Sequence, residues 1–314
     1  MTKPQILVVG SSNTDMVILA DHLPGPGETI LGGTFFMNPG GKGANQAVAV
    51  ARLGGDTTFI CKTGNDIFGK QSVQLCEEEG INTAHLVSDP KHPSGVALIT
   101  VDKNAENCIV VASGANAALS PSDLVKAQDV ITRSSIVLMQ LEIPLDTIIH
   151  VAATAFEKNI PIVLNPAPAC TLPDKLLSYI SILTPNKTEA EMLSGIKVFD
   201  IDSAKLAALK IRNRGVKTVV ITLGIQGVLL LNENTFTHIP AFEVAAVDTT
   251  AAGDVFNGAL VVAISEGKDI LTAIEFACKA SAISVTRMGA HASIPYKKEV
   301  DSFVGKKVKS GLDT

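Results

Sequence analysis

Three small residues and an acid, Ala251-Ala252-Gly253-Asp254, precede a run in which Val255, Phe256, Ala259, Leu260 and Ala263 recur at helical spacing. The spacing predicts a helix starting at or near Gly253. Its first N–H groups lack intrahelical partners and carry partial positive charge, and Ala-Ala-Gly leaves no bulk between them and a phosphate. Asp254 sets a carboxylate beside the same anion pocket. Such a pair suits phosphoryl transfer: amides hold the charge of the migrating group while the carboxylate takes the acceptor hydroxyl's proton. The helix terminus is expected to hold Asp254 below the usual carboxylate range, which a transition state that releases the proton late tolerates. An N-cap on a tightly packed helix would show the same acid; the small residues before it favour the chemical reading.

Asn38-Pro39-Gly40-Gly41-Lys42-Gly43-Ala44-Asn45-Gln46-Ala47 is the second candidate. Its glycines allow close backbone approach to a ligand, and Asn45 offers both donor and acceptor atoms from a first helical turn. Lys42 is not followed by Ser or Thr and no G-x-G-x-x-G occurs, so neither a Walker A loop nor a dinucleotide fingerprint is present. Asn13-Thr14-Asp15 follows the first apolar run, where open parallel sheets bind ligands and where an Asn and an Asp can clasp sugar hydroxyls. The six histidines share no metal-ligand spacing, and each reads as a surface or satisfied side chain. Cys61, Cys76, Cys108, Cys170 and Cys278 form no C-x-x-C pair and read as small buried hydrophobes in a reducing compartment.

The elements that position these residues follow from periodicity. Short apolar runs at 6–10, 136–140, 161–165, 180–183 and 219–223 read as strands buried on both faces. Helical patterns lie between them: 44–53 stopped by Gly54, 70–79 stopped by Gly80, one capped by Ser120 with Pro121 at its first position, and one capped by Asp202 that ends near Gly215. Alternating strand and helix implies a mostly parallel sheet with helices on both faces. Residues 15–38, with strands expected at 29–31 and 34–36, and residues 94–111, with strands at 96–101 and 108–111, lack helical spacing. They read as two hairpins able to pair into a small second sheet, or as surface decoration.

Composition bounds the function. The chain has 314 residues, 46% hydrophobic and 18% charged, which excludes disorder. Lys and Arg number 26 against 31 Asp and Glu, so no basic excess favours nucleic acid. The longest apolar stretch, 219–231, is broken by Thr222, Gly224, Gln226 and Gly227, short of a membrane span. The expectation is a cytoplasmic protein without nucleic-acid or membrane partners, its basic tail (Lys306, Lys307, Lys309) a solvated helix end.

Along nearly its whole length the chain resembles the phosphofructokinase-B / ribokinase family of sugar kinases. The resemblance rests on Gly40 through Ala47, on Asp248 through Asp254 with Asn257-Gly258-Ala259, and on motifs standing in order between and around them. These are Asn13-Thr14-Asp15, Pro24-Gly25-Pro26-Gly27-Glu28-Thr29, Glu142, Asn165-Pro166-Ala167-Pro168-Ala169, Thr184-Pro185-Asn186, Thr222-Leu223-Gly224 and Arg287-Met288-Gly289-Ala290. It implies a three-layer αβα sandwich with a mostly parallel central sheet, one catalytic domain over residues 1–314, and a β-sheet lid from about 15–38 and 94–111 that pairs with a second subunit's lid. The implied reaction is ATP-dependent phosphorylation of D-ribose at its 5-hydroxyl, in ribose catabolism. A sister kinase for deoxyribose, fructose or a nucleoside, or a non-catalytic sugar or nucleotide sensor, stays open.

By the same resemblance Asn13, Thr14, Asp15, Gly41, Lys42, Gly43, Ala44, Asn45 and Glu142 match sugar-binding positions, Asp254 the base, and the amides of Ala251, Ala252, Gly253 and Asp254 the anion hole. Asn186, Thr222, Leu223, Gly224, Ile225, Gln226, Gly227 and Cys278 match the ATP side. Asn186 and Glu189 match a motif associated indirectly with Mg2+. Asp248, Thr250, Ser284, Arg287, Gly289 and Ser293 match a monovalent-cation site, normally K+, several through carbonyls. Two positions depart from the pattern: Lys187 stands where a Glu is usual, and Cys278 where His or Asn is common.

Overall fold

Each short apolar run contains a strand, the glycine-rich motif joins the end of a strand to a helix, and the Asp248–Asp254 turn leads into a helix. The computed structural model describes residues 3–104 and 106–308, so Ala105 in the second insert and Lys309 in the basic tail lie outside it. In chain order the strands are β1 (Gln5–Val9), β2 (Asn13–Leu19), β3 (Thr34–Gly40), β4 (Asp56–Ile60), β5 (Lys62–Gly64), β6 (Val87–Asp89), β7 (Gly95–Val101), β8 (Asn107–Ala112), β9 (Ile136–Met139), β10 (Ile162–Leu164), β11 (Ile182–Leu183), β12 (Thr218–Thr222), β13 (Val228–Asn232) and β14 (Thr235–Ile239). The helices are α1 (Lys42–Arg52), α2 (Ile67–Glu78), α3 (Gln128–Arg133), α4 (Leu145–Glu157), α5 (Asp174–Leu177), α6 (Lys187–Ser194), α7 (Ile201–Arg212), α8 (Ala252–Ser265), α9 (Ile270–Ser284) and α10 (Lys297–Ser302).

The main sheet runs β14-β13-β12-β11-β10-β9-β1-β4, parallel from β12 to β4, with β13 and β14 antiparallel at one edge. Alternate residues of β1 serve opposite faces. Ile6 and Val8 join α1, α8 and α9 in one core, while Leu7 and Val9 join α4 and α7 in the other. This is the expected αβα sandwich.

The two inserts pair as hairpins, β2 with β3 and β7 with β8, joined by a parallel β2–β7 contact into a separate sheet ordered β3-β2-β7-β8. Register puts Asp15, Asn38 and Ala97 on one face and Met16, Met37 and Leu98 on the other. The second face also carries Ile18, Phe35 and Val110, each at least 40% exposed. Such an apolar patch on an exposed sheet is uncommon in a monomer.

Several local expectations shift. Residues 29–31 form no strand. Asp200, not Asp202, caps α7: its Oδ1 accepts from the Ser203 N–H at 2.8 Å, because the fold places the polar turn two residues earlier. Ser120 and Pro121 open a 3-10 turn over Pro121–Ala127 that leads into α3. Beyond α10, Lys307 is extended, bridging to Phe242 and reaching Glu275, so this part of the tail is not a helix end. Cys108 is exposed on β8, so it is no core filler. No helix among the described residues is long and apolar enough to cross a membrane.

Candidate active site

Helix α8 opens at Ala251, which takes a left-handed φ of 59° as N-cap without a side-chain cap bond. In the turn before it, the Thr250 N–H donates to Asp248 Oδ1 at 2.8 Å and the Ala252 N–H to the Thr249 carbonyl at 3.2 Å. Among the described residues the Ala251, Gly253 and Asp254 N–H groups donate to no backbone carbonyl outside the helix pattern. The four-amide hole expected from sequence is thus narrowed, Ala252 being engaged. A Cβ built on Gly253 would meet nothing within 4 Å, so neither packing nor backbone strain demands glycine there.

Asp254 is 5% exposed. Its Oδ2 accepts from Asn45 Nδ2 and its Oδ1 from Gln46 Nε2, both at 2.9 Å. Burial pushes its carboxyl above the usual range, opposed by Lys42 and by the Gln46 and Asn45 amides, with Glu142 adding to the rise. The expected lowering by the helix terminus is reversed, because desolvation of a fully enclosed carboxylate outweighs a terminal dipole. A raised pKa makes Asp254 a better proton acceptor near neutrality.

Helix α1 brings the glycine-rich motif to Asp254. Gly41, its N-cap, has φ 88°, and a Cβ there would meet the Asn13 nitrogen at 2.8 Å. Glu142 Oε2 accepts from the Lys42 N–H at 2.9 Å and from Ser11 Oγ at 2.5 Å, and the Gly43 N–H donates to Ser11 Oγ at 3.3 Å. Burial alone would lower the Lys42 ammonium, but Asp254, Glu142, Glu189 and Asp15 together raise it, so the lysine stays charged. Asp15 rises to about 6, through burial first and then Glu142 and Asp254, against Lys42. Thr14 faces away on the next position of β2, while Asn13 Oδ1 accepts from Asn116 Nδ2 at 2.8 Å. Asn116, which also brackets the Ser12 backbone, was not singled out by sequence, nor were Ser11 and Gln140.

A cavity of about 190 Å3 is lined by Lys42, Asn165, Asn186, Thr222, Gly253 and Asp254. A second, of about 370 Å3, is lined by Ile225, Val228, Phe242, Phe256 and Cys278, with a largely apolar wall. Both share Thr222, Thr249, Ala252 and Gly253, so they meet over the start of α8. Burial pushes the Cys278 thiol up to about 12, so it is an uncharged wall residue. Between β12 and β13, Gly224–Gln226 forms a 3-10 turn closed by the Leu223 N–H donating to the Gly227 carbonyl at 2.8 Å. Lys187 Nζ reaches Gln226 Oε1 at 2.6 Å.

Asn186 and Glu189 form a reciprocal cap on α6: the Glu189 N–H donates to Asn186 Oδ1 at 2.9 Å, and the Asn186 N–H to Glu189 Oε2 at 2.8 Å. Burial raises the Glu189 carboxyl despite the Asn186 bond and Lys42. Asp248 ties two loops together, its Oδ2 accepting from the Gly289 N–H at 2.8 Å. Ser284, the last residue of α9, and Ser293, in the turn that follows, are fully buried, whereas Arg287 turns its guanidinium to Glu299 at 2.5 Å. His291 in this loop is buried with both ring nitrogens unpartnered, contrary to the expectation of a satisfied or surface histidine. Groups of three or more His, Cys, Asp or Glu placed to hold a metal are absent among the described residues.

The model of the pfkB family carbohydrate kinases matches residues 3–297, and the chain belongs to that family. Its relatives narrow the class to pentose kinases. It is 46% identical to the ribokinase of Haemophilus influenzae over 95% of this chain and 98% of that one. It is 35% identical to the deoxyribokinase of Salmonella typhi, over 95% and 98%. Among solved structures, Arabidopsis thaliana ribokinase complexed with ribose and ATP superposes with a TM-score of 0.89 at 32% identity, covering 97% of this chain and all of that one.

Proposed function

We infer that the chain transfers the terminal phosphoryl group of ATP to the 5-hydroxyl of D-ribose, giving ADP and D-ribose 5-phosphate. The carrying observation is Asp254: a buried, raised-pKa carboxylate in the first turn of α8, beside bare amides and lining the smaller of the two joined cavities. Asp254 takes the proton as the hydroxyl oxygen captures the phosphorus, and the free amides of Gly253 and Asp254 hold the equatorial oxygens. Lys42 supplies a charge that its carboxylate neighbours keep protonated. Asn13, Asp15, Asn45 and Glu142 orient the sugar, while Asn186 and the Thr222–Gly227 stretch flank the nucleotide. Its apolar side lies against Phe256 and Cys278. The Asp15-bearing sheet is read as a lid that excludes water on closing, within one catalytic domain.

A divalent metal accompanies ATP in such kinases, and Mg2+ suits this site. Mg2+ keeps waters and binds mainly through nucleotide phosphates, needing few protein ligands. It would neutralise charge between the transferred and leaving phosphates, with Asn186 and Glu189 nearby. For K+, the loops around Asp248, Thr250, Ser284, Gly289 and Ser293 offer chiefly neutral oxygens, a donor set that fits a weakly charged ion. We further propose a homodimer through the exposed lid faces, in the cytoplasm.

The deoxyribokinase relative supports a second reading, in which 2-deoxyribose is the acceptor. ADP release measured with ribose, 2-deoxyribose, fructose and adenosine, each with K+ or tetramethylammonium, decides between them. Ribose with K+ is expected to give the highest kcat/KM; preference for another acceptor passes the assignment to that sugar, and no release with any acceptor points to a sensor.

A further inference from the structure

Buried polar side chains close a ring around the first turn of α8. Gln46 Nε2, already on Asp254, also donates to Asn165 Oδ1 at 3.1 Å. Asn165 Nδ2 donates to the Thr184 carbonyl at 3.3 Å, and Thr184 Oγ1 to Asn257 Oδ1 at 2.6 Å. Asn257 Nδ2 returns to the Gly253 carbonyl at 2.8 Å, one peptide from Asp254. The circuit therefore runs through α1, the residues just past β10 and β11, and α8, and ends where it began.

The direction of every amide in the ring is fixed. Gln46 Oε1 accepts from Gln140 Nε2 at 2.5 Å, so the NH2 end of Gln46 must face Asp254; a flipped amide would set oxygen against carboxylate. Gln46 and Gln140 are both completely buried. Apolar residues of similar volume would fill this space without the desolvation that buried amides suffer. A ring whose members Gln46, Asn165, Thr184 and Asn257 are all partnered instead selects one geometry, Gln140 Oε1 beside it having no partner among the described residues. Here it selects the rotamer of a carboxylate and the plane of the Gly253–Asp254 peptide, whose N–H points opposite to the gripped carbonyl.

We propose that Gln46, with Thr184 and Asn257 completing the ring, is a positioning residue that holds Asp254 and the neighbouring amide in the geometry needed for phosphoryl transfer. This rests on the kinase reading above. Gln46 acts on the base directly, and Thr184 acts on the peptide through Asn257.

The test compares wild type, Gln46→Met and Thr184→Val. Gln46→Met is expected to lower kcat about 10-fold or more with ribose and ATP KM nearly unchanged, and to move the acid limb of the kcat–pH profile upward, since a donor to the carboxylate is lost. Thr184→Val is expected to lower kcat while leaving that limb in place, because Thr184 does not touch Asp254. In ligand-free protein, the Asp254 carboxyl followed by 13C NMR (assigned with Asp254→Asn) should titrate higher in Gln46→Met than in wild type, a readout independent of turnover. An unmoved Asp254 titration overturns the proposal even if the protein phosphorylates ribose. Should Gln46→Met not fold, Thr184→Val decides: wild-type kcat overturns the ring, and a fall at unchanged KM upholds it. A wild-type chain inactive on every sugar fails the kinase reading instead, leaving the NMR comparison to judge the ring.

Discussion

Asn45 Nδ2 lies 2.9 Å from Asp254 Oδ2, joining side chains 209 residues apart. The first turns of α1 and α8 therefore meet at one carboxylate. That contact changes what Asn45 does: its amide nitrogen holds the base, leaving a buried, unpartnered Oδ1 as its remaining hydrogen-bonding atom. An unpartnered acceptor at such depth is costly unless a ligand hydroxyl meets it, as a bound sugar would.

Gly253 separates chemistry from packing. Open space surrounds its missing side chain, and Ala is the better helix former by about 1 kcal/mol. Gly253→Ala should therefore keep or slightly raise Tm while lowering kcat about 100-fold, a methyl group standing where a transferred phosphoryl oxygen would lie. Thermal melts beside steady-state kinetics check this; wild-type turnover would show that the phosphate lies elsewhere.

Asp15 gives a pH signature. Its carboxyl sits at about 6 in the fold against an ordinary 3.8. Below 3.8 both folded and unfolded chains hold the proton; between those values the unfolded chain sheds it first, so stability falls as pH rises and stays reduced above 6. Asp15→Asn should raise the Tm of ligand-free protein at pH 8 by roughly 2–4 °C. Ribose KM should rise about 10- to 100-fold as charged hydrogen bonds are lost. In wild type, kcat/KM for ribose should drop as pH falls through this range. A lower Tm with unchanged KM would place Asp15 in a structural role.

Asp248 holds the Thr250 and Gly289 amides with its two carboxylate oxygens. Asp248→Ala releases both loops, so K+ should no longer raise activity above the level in tetramethylammonium. A preserved potassium response, read from initial rates, would move the cation elsewhere.

Leu98 and Met37 stand 54% and 48% exposed on the apolar face of the sheet proposed as a lid. Leu98→Arg should weaken self-association about 100-fold by stranding a charge in an apolar contact. Analytical ultracentrifugation checks it; a wild-type chain that sediments as a monomer contradicts the interface.

Periodicity located the parallel sheet because strands such as β1 are buried on both faces and read as unbroken apolar runs. The hairpins of the separate sheet were visible as missing helical spacing, yet their union through β2 and β7 was not, since strand partners leave no local trace. Asp254 was legible from its small-residue neighbours. The direction of its pKa was not: enclosure depends on α1 folding across it. Gln46 stood in plain sight beside Asn45, within the glycine-rich motif, but its partners Asn165 and Gln140 come from β-strand ends far along the chain. Glu189, matched to a motif associated indirectly with Mg2+, also caps α6 through both carboxylate oxygens, a local role that its spacing from Asn186 already allows.

In the proposed reaction every other role depends on Asp254 accepting the sugar's proton. Asp254→Asn keeps the shape and can still meet Asn45 or Gln46, so ribose and ATP binding by calorimetry should stay within a few-fold of wild type. Ribose-dependent ADP formation should fall by about 10^3 or more. Turnover within a few-fold of wild type in that variant, with binding intact, would contradict the mechanism.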